Sequence, residues 1–341
     1  MRVAVVTESF LPRVDGVANC VCRVLEHLSA HGHPAMVVAP GRGPTDPPDP
    51  GGVQVGGGVQ GGGRGGSGSG AGAHAADGRG ETYLGTPVLR APSVPLPGYP
   101  NFRVATPWPR LVTELRAFRP DVIHLAAPAV LGAQAAFAAR RIGLPSVAVY
   151  QTDLPGFATR YGLGGTERAL WRWLATVHGV VGRTLAPSWD AVDTLLRQGV
   201  RRVARWARGV DGERFNPAHR DDDLRRRLAP DGEVIVGYVG RLAREKQVDL
   251  LTGVADLPGT RLVVIGAGPL RGELERRLPH AAFLGFQGGA ALSAAVASLD
   301  IFVHTGVHET FCQAAHEAQA SGVAVVAPAA GGLRDLVEHG V

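Results

Sequence analysis

The chain has 341 residues, enough for two domains that each bury a core, and its 45% apolar content is ordinary for a globular protein. No apolar run reaches the roughly 18 residues of a spanning helix, the start Met1-Arg2-Val3-Ala4-Val5-Val6 lacks a secretory leader's apolar core, and Cys20, Cys22 and Cys312 give neither a disulfide framework nor a zinc spacing. The formal charge of +5, carried almost wholly by arginine, favours anionic partners, and sparse aromatics make a nucleic-acid groove the weaker option. The expected location is cytoplasmic.

Residues 3–6 read as a strand, followed by a loop through Gly16 and a helix from near Val17. Its apolar positions Val17, Val21, Val24, Leu25 and Leu28 keep helical spacing, and Gly32 ends it. Met36–Ala39 is the next strand. The block 41–82 breaks the pattern: 15 of residues 51–80 are glycine, so burial cannot offset its chain entropy, and a disordered insertion is expected. Order returns at Pro87–Arg90. Helices at 109–118, Val130–Ile142, 165–180 and 189–198 then alternate with strands at Pro120–Leu125, Ser146–Tyr150 and Thr184–Ser188. His124, near a strand's carboxyl end, reads equally as a sugar-contacting or catalytic group and as a core histidine. Trp171 and Trp173 are two apart on a helix and face differently, so one is expected to be partly exposed.

An irregular segment, Arg205–Pro217, places the domain junction near 211, giving domains 1–211 and 212–341. A second series follows: a strand at Val234–Gly240, one at 262–265 running into Gly266-Ala267-Gly268-Pro269, a charged helix at 270–278, a strand at Ala282–Phe286, a helix at 289–298 and a strand at Ile301–Val303. This alternation predicts an α/β fold of two doubly wound, Rossmann-like domains facing across a cleft. The stretch His308–Gly322 then holds Glu309 and Glu317 around an Ala-rich helix. Read as one helix from Glu309, it separates the glutamates by roughly 12 Å on one side. A solvated amphipathic helix and half of a ligand site are equally compatible with that stretch alone.

Three loops could converge in the second domain. Arg241 and Lys246 can neutralise a diphosphate without a metal, and the amides of Thr310, Phe311 and Cys312 would supply donors at the helix start. Glu317 can accept from a ribose diol and Glu309 from sugar hydroxyls. Val264-Ile265-Gly266-Ala267-Gly268 imitates part of a dinucleotide fingerprint, but the third-glycine position is Arg271, which disfavours an oxidoreductase.

Taken together, Glu309-x7-Glu317, Gly240-Arg241-Leu242-x-x-Glu245-Lys246, Gly266-x-Gly268-Pro269, Gly209-Val210-Asp211-x3-Phe215-x-Pro217 and the Gly16 loop resemble the retaining GT-B glycosyltransferases of glycosyltransferase family four. Thr7–Pro12, Tyr150–Asp153 and His308–Gln313 look like the actinobacterial GDP-mannose-dependent mannosyltransferases that act on lipid acceptors. The resemblance implies an acceptor-side first domain and a donor-binding second domain. It also implies transfer of a hexose, mannose from GDP-mannose, with retention and no metal. A phosphatidylinositol mannoside or glycosyl diacylglycerol would accept the sugar at an anionic membrane face. It assigns catalysis to Glu309, Arg241, Lys246 and His124, and substrate contacts to Gly16, Asp153, Gly266, Gly268, Phe286, Thr310, Phe311, Cys312 and Glu317.

The sequence departs from the family twice. A family histidine two residues beyond His124 is here Ala126, which leaves the catalytic role of His124 open. The chain also stops at Val341, short of further elements the family carries, so the C-terminal part is expected to be truncated, with poor solubility or lost activity. The competing readings are a UDP-sugar-dependent glucosyl- or sulfoquinovosyl-type transferase and a non-catalytic nucleotide-sugar-binding remnant.

Overall fold

In the computed structural model, residues 1–43, 53–55, 80–96, 99–159 and 164–340 are described. Most of the expected Gly-rich insertion, 44–52 and 56–79, lies outside them. The contacts divide the chain into two compact units: 1–151, 173–185 and 200–202 in the first, and 152–172, 186–199 and 203–341 in the second. Within the second, the Trp189 amide donates to Asp335 Oδ2 at 2.6 Å, which ties the helix Trp189–Arg197 to residues far along the chain.

The first unit holds β1 (Val3–Val6), β2 (Ala35–Pro40), β3 (Val53–Val55), β4 (Glu81–Tyr83), β5 (Thr86–Ala91), β6 (Ser93–Leu96), β7 (Tyr99–Ala105), β8 (Val122–Leu125), β9 (Ser146–Val149) and β10 (Arg183–Ala186). Every residue of β1 and β2 is buried, as expected of parallel strands covered on both faces. Within this unit the sheet strands run in the order β10-β9-β8-β1-β2-β5-β4-β3, parallel from β10 to β5 and antiparallel beyond. Part of the expected insertion is therefore ordered: Val53–Val55 pairs with Glu81–Tyr83. Glu81 is fastened there by buried charge, its carboxylate meeting the guanidinium groups of Arg90 and Arg42. Burial alone would raise the Glu81 pKa, but the two arginines hold it below its ordinary value.

The helix Gly16–Ala30 is capped by Asp15, whose Oδ1 accepts from the amides of Val17 and Ala18 at 3.0 and 2.9 Å. Its buried face, Ala18, Val21, Leu25 and Leu28, follows the expected spacing.

The second unit holds β11 (Val203–Arg205), β12 (Val234–Val239), β13 (Thr260–Ile265), β14 (Ala282–Gly285), β15 (Ile301–Val303) and β16 (Ala324–Val326). The last five form one parallel sheet in the order β14-β13-β12-β15-β16. Chain order reverses between β12 and β15, and in such sheets the crevice beyond the strands' carboxyl ends at that point is the ligand-binding position. Tyr238 and Phe302, both wholly buried, fill the core beneath it.

Candidate functional site

Two loops leave the carboxyl ends of β12 and β15. The first carries Arg241 and a 3-10 turn, Arg244–Lys246; the second runs from His304 to Glu309. Lys246 Nζ lies 2.5 Å from Glu309 Oε1, and His304 Nε2 lies 3.0 Å from the same oxygen. The Thr305 hydroxyl donates to the Lys246 carbonyl at 2.7 Å, locking one loop to the other. The His304 ring lies near-parallel to Tyr238 and Phe302, with centroids 6.1 and 6.3 Å away, and the Tyr238 hydroxyl donates to the Arg241 carbonyl at 3.0 Å. A lysine and a glutamate 63 residues apart are thereby held on one packed support.

Electrostatics keep both charged. Burial alone would raise the Glu309 pKa, but the Lys246 ammonium and the His304 hydrogen bond more than offset it and bring it down to about 2. Burial likewise disfavours charged Lys246, yet Glu309 holds its pKa above the ordinary value. Both contacts use Oε1, so neither engages Glu309 Oε2. His304, Glu309 and Cys312 bring one potential metal-ligand atom each within 4.8 Å. That grouping is tuned to an ammonium: Lys246 sits on the shared carboxylate oxygen, and burial pushes the Cys312 thiol up to about 12, disfavouring a thiolate.

Gly266 and Gly268 fall at the end of β13, as expected, and their lack of a side chain has a packing cause. A Cβ on Gly266 would lie 1.9 Å from the Gly240 carbonyl oxygen, and one on Gly268 would lie 2.3 Å from the Leu242 carbonyl oxygen. The Leu242 amide donates to the Ala267 carbonyl at 3.0 Å, so these loops pack backbone against backbone.

The helix after Glu309 is shorter than the sequence suggests. It spans Gln313–Ala320, with Cys312 in the left-handed region at φ 72°. Glu317 is therefore one turn into the helix rather than two, and the rise that gave roughly 12 Å between the glutamates does not apply. Three residues, Thr310–Cys312, carry the chain from Glu309 to the helix because the Gly331-Gly332 turn packs on that loop, the Gly332 amide donating to the Glu309 carbonyl at 2.7 Å. Phe311 and Cys312 are buried while Thr310 and Glu317 are half-buried; Phe286, after β14, is 65% exposed.

The remaining predicted residues lie elsewhere. Gly16 opens its helix in the first unit, and a Cβ there would meet nothing within 4 Å. His124 is the third residue of β8, in register with Val5 and Val147; burial lowers its pKa to about 4, so the ring is uncharged at neutral pH. Asp153 caps the short helix Leu154–Ala158, accepting from the Gly156 amide at 3.0 Å.

The sequence reading missed His304, although a histidine at the carboxyl end of a buried strand is the kind of signal that drew attention to His124. Replacing His304 with Ala should raise the Glu309 pKa from about 2, whereas His304→Gln, which retains an N–H donor, should raise it less. Carbon NMR titration of the Glu309 carboxyl measures both, and an unmoved titration in His304→Ala would disprove the support role.

Two doubly wound units, the second with a charged lysine–glutamate pair at its switch point, fit the GT-B class of glycosyltransferases. The solved structure of Anabaena HepE in complex with UDP-glucose has the same fold, with a TM-score of 0.70 at 19% identity over 100% of this chain and 84% of that one. Residues 14–214 match the family model described as Glycosyltransferase Family 4, and residues 219–341 match Glycosyl transferases group 1. The chain belongs to glycosyltransferase family 4. It is 47% identical over 337 residues to a GDP-mannose-dependent alpha-mannosyltransferase of Mycobacterium tuberculosis, covering 99% of this chain and 81% of that relative. A GDP-mannose-dependent alpha-mannosyltransferase of Corynebacterium glutamicum is 45% identical over 344 residues, covering 100% and 75%.

Proposed function

We propose that this glycosyltransferase moves mannose from GDP-mannose, with retention at the anomeric carbon, onto a lipid-linked or polyol acceptor. The observation that carries the chemistry is the Lys246–Glu309 pair, whose contacts with Lys246 and His304 use Glu309 Oε1 and leave Oε2 unengaged among the described residues. On donor binding, Lys246 and Arg241 take the diphosphate and stabilise the charge that develops as the bond from the sugar to the nucleotide breaks. Glu309 accepts from a sugar hydroxyl through Oε2, held in place by His304. The acceptor hydroxyl attacks on the face the nucleotide leaves, and its proton passes to the departing phosphate oxygen.

The half-buried Glu317 accepts from the ribose, and the amides of residues 310–312 add donors to the phosphates. Phe286 and the loop of Gly266 and Gly268 border the nucleotide. Asp153 and neutral His124 contact the sugars. Two cationic side chains neutralise the diphosphate, so the reaction runs without a metal. The base and sugar follow from the extent of similarity to the two mannosyltransferases.

No helix among the described residues is long and apolar enough to cross a membrane. Peripheral contact with an anionic leaflet is supported by Trp173, 41% exposed, beside Phe137, 39% exposed.

A donor screen reading nucleotide release with acceptor present tests the reading. GDP-mannose should turn over at least tenfold faster than UDP-glucose, the scale expected when a base-reading hydrogen bond is lost. Turnover with UDP-sugars alone would move the protein to the glucosyl type, and tight GDP binding without turnover would make it a binder.

A further inference from the structure

We infer that Asp335 is a positioning residue for Glu309, acting through the 3-10 turn Gly331–Asp335 whose last residue it is. Every residue involved belongs to the second unit, and the role of Glu309 at the transferred sugar is taken from the proposed function.

The start of that turn sits directly on the Glu309 loop. The Gly332 amide donates to the Glu309 carbonyl at 2.7 Å. A Cβ on Gly331 would lie 2.5 Å from the Glu309 carbonyl oxygen, and one on Gly332 would lie 2.4 Å from that of Thr310. Backbone therefore meets backbone, with no flexible side chain between them to absorb a shift. In the middle of the turn, Leu333 is 1% exposed in the core cluster that also holds Ala315 and Ala318.

The end of the turn is fastened to a different helix. Asp335 Oδ2 accepts from the Trp189 amide at 2.6 Å. That amide is the first of the helix Trp189–Arg197, one of the N–H groups a helix cannot bond internally. The N-cap hydroxyl of Ser188 accepts from Ala191 at 3.1 Å and leaves the Trp189 amide to Asp335. A carboxylate there meets both an open amide and the positive end of the helix dipole. The Asp335 side chain is 10% exposed, so water replaces it poorly, whereas Arg205, 3.8 Å away and 34% exposed, is screened and adds little. The turn is thus pinned by one amide near each end, and only two residues separate Gly332 from Asp335. A shift at Asp335 reaches the Glu309 carbonyl through Gly332, and with it the side chain that Lys246 and His304 hold.

The test measures nucleotide release from GDP-mannose by the full chain, with acceptor present, in four single variants. Asp335→Ala should lower kcat about tenfold, part of the roughly 10²-fold that a 1 Å misplacement can cost. Trp189→Pro should do the same: it deletes the N–H that Asp335 accepts, yet proline is favoured at the first helical position, so the helix itself is kept. Trp189→Ala, which keeps the amide and removes only the ring, and Asp335→Asn, which keeps an acceptor oxygen, should both stay within about threefold of the unaltered chain. Added to Glu309→Gln, Asp335→Ala should cost little more, because its effect runs through Glu309. Carbon NMR should also show the Glu309 titration moving up from about 2 in Asp335→Ala, as the loop leaves Lys246 and His304. Unchanged turnover in Asp335→Ala, equal losses in Trp189→Ala and Trp189→Pro, a further tenfold loss on top of Glu309→Gln, or an unmoved Glu309 titration would each overturn the positioning role. Absence of sugar transfer by the unaltered chain would count against the glycosyltransferase reading instead, while the Glu309 titration would still decide the role of Asp335.

Discussion

Replacing Lys246 with Met should destabilise the second unit by about 3 kcal/mol and reduce turnover by a factor of about 10² to 10³. The stability loss arises because Glu309, 12% exposed, would keep its desolvation cost without its ammonium partner. The figure sits at the low end for a buried pair because Lys246 is 28% exposed and solvent screens part of the interaction. Glu309→Gln should lose a similar amount of activity. The double variant Lys246→Met/Glu309→Gln should regain most of the stability and none of the turnover, because it leaves no unpaired buried charge. Denaturant melts beside nucleotide-release rates separate the two effects. A double variant no more stable than Lys246→Met alone would show that the pair does not act as a unit.

The same pair sets a pH dependence. The pKa of Glu309 is depressed to about 2 in the folded chain, so its contribution is complete above its ordinary value of 4.5 and is lost as pH falls towards 2. The pKa of Lys246 is raised, so its contribution is complete below its ordinary value of 10.5 and is lost as pH rises through the raised value. The pair is intact across the neutral range between them.

Gly266→Ala should be the most damaging single-methyl change in the second unit, costing more than about 3 kcal/mol or preventing its folding. The new Cβ would lie 1.9 Å from the Gly240 carbonyl oxygen, and φ at Gly266 is +146°, where residues with a side chain are strained. The obstructing atom is backbone in a loop fixed by hydrogen bonds, so no rotamer change relieves the clash. Circular dichroism melts and GDP titration provide the measurements. A melting temperature within a few degrees of the unaltered chain would show that the two loops can part at little cost.

Much of this was legible because the signals are local. A buried run such as Val3–Val6, the spacing of Val21, Leu25 and Leu28, and a stopping glycine such as Gly32 act within a few residues, and each became the expected element. The Gly-rich block was less readable at its ends, where Glu81 is ordered by Arg42 and Arg90 rather than by its neighbours. The helix start at Gln313 was misplaced because the Ala-rich composition favours helix throughout, while the contact that holds the preceding loop open comes from Gly332, beyond the helix itself.

By itself the sequence determined two alternating α/β halves and an ordered set of motifs resembling those of family-four glycosyltransferases, because periodicity and motif spacing are properties of neighbouring residues. Only the tertiary structure decided that Lys246 and His304 share one oxygen of Glu309 and that Gly266 and Gly268 serve loop packing. Those facts depend on which strand ends lie side by side. Strand order reverses at β1 and β12, so residues distant along the chain become neighbours there, and no local pattern records the pairing.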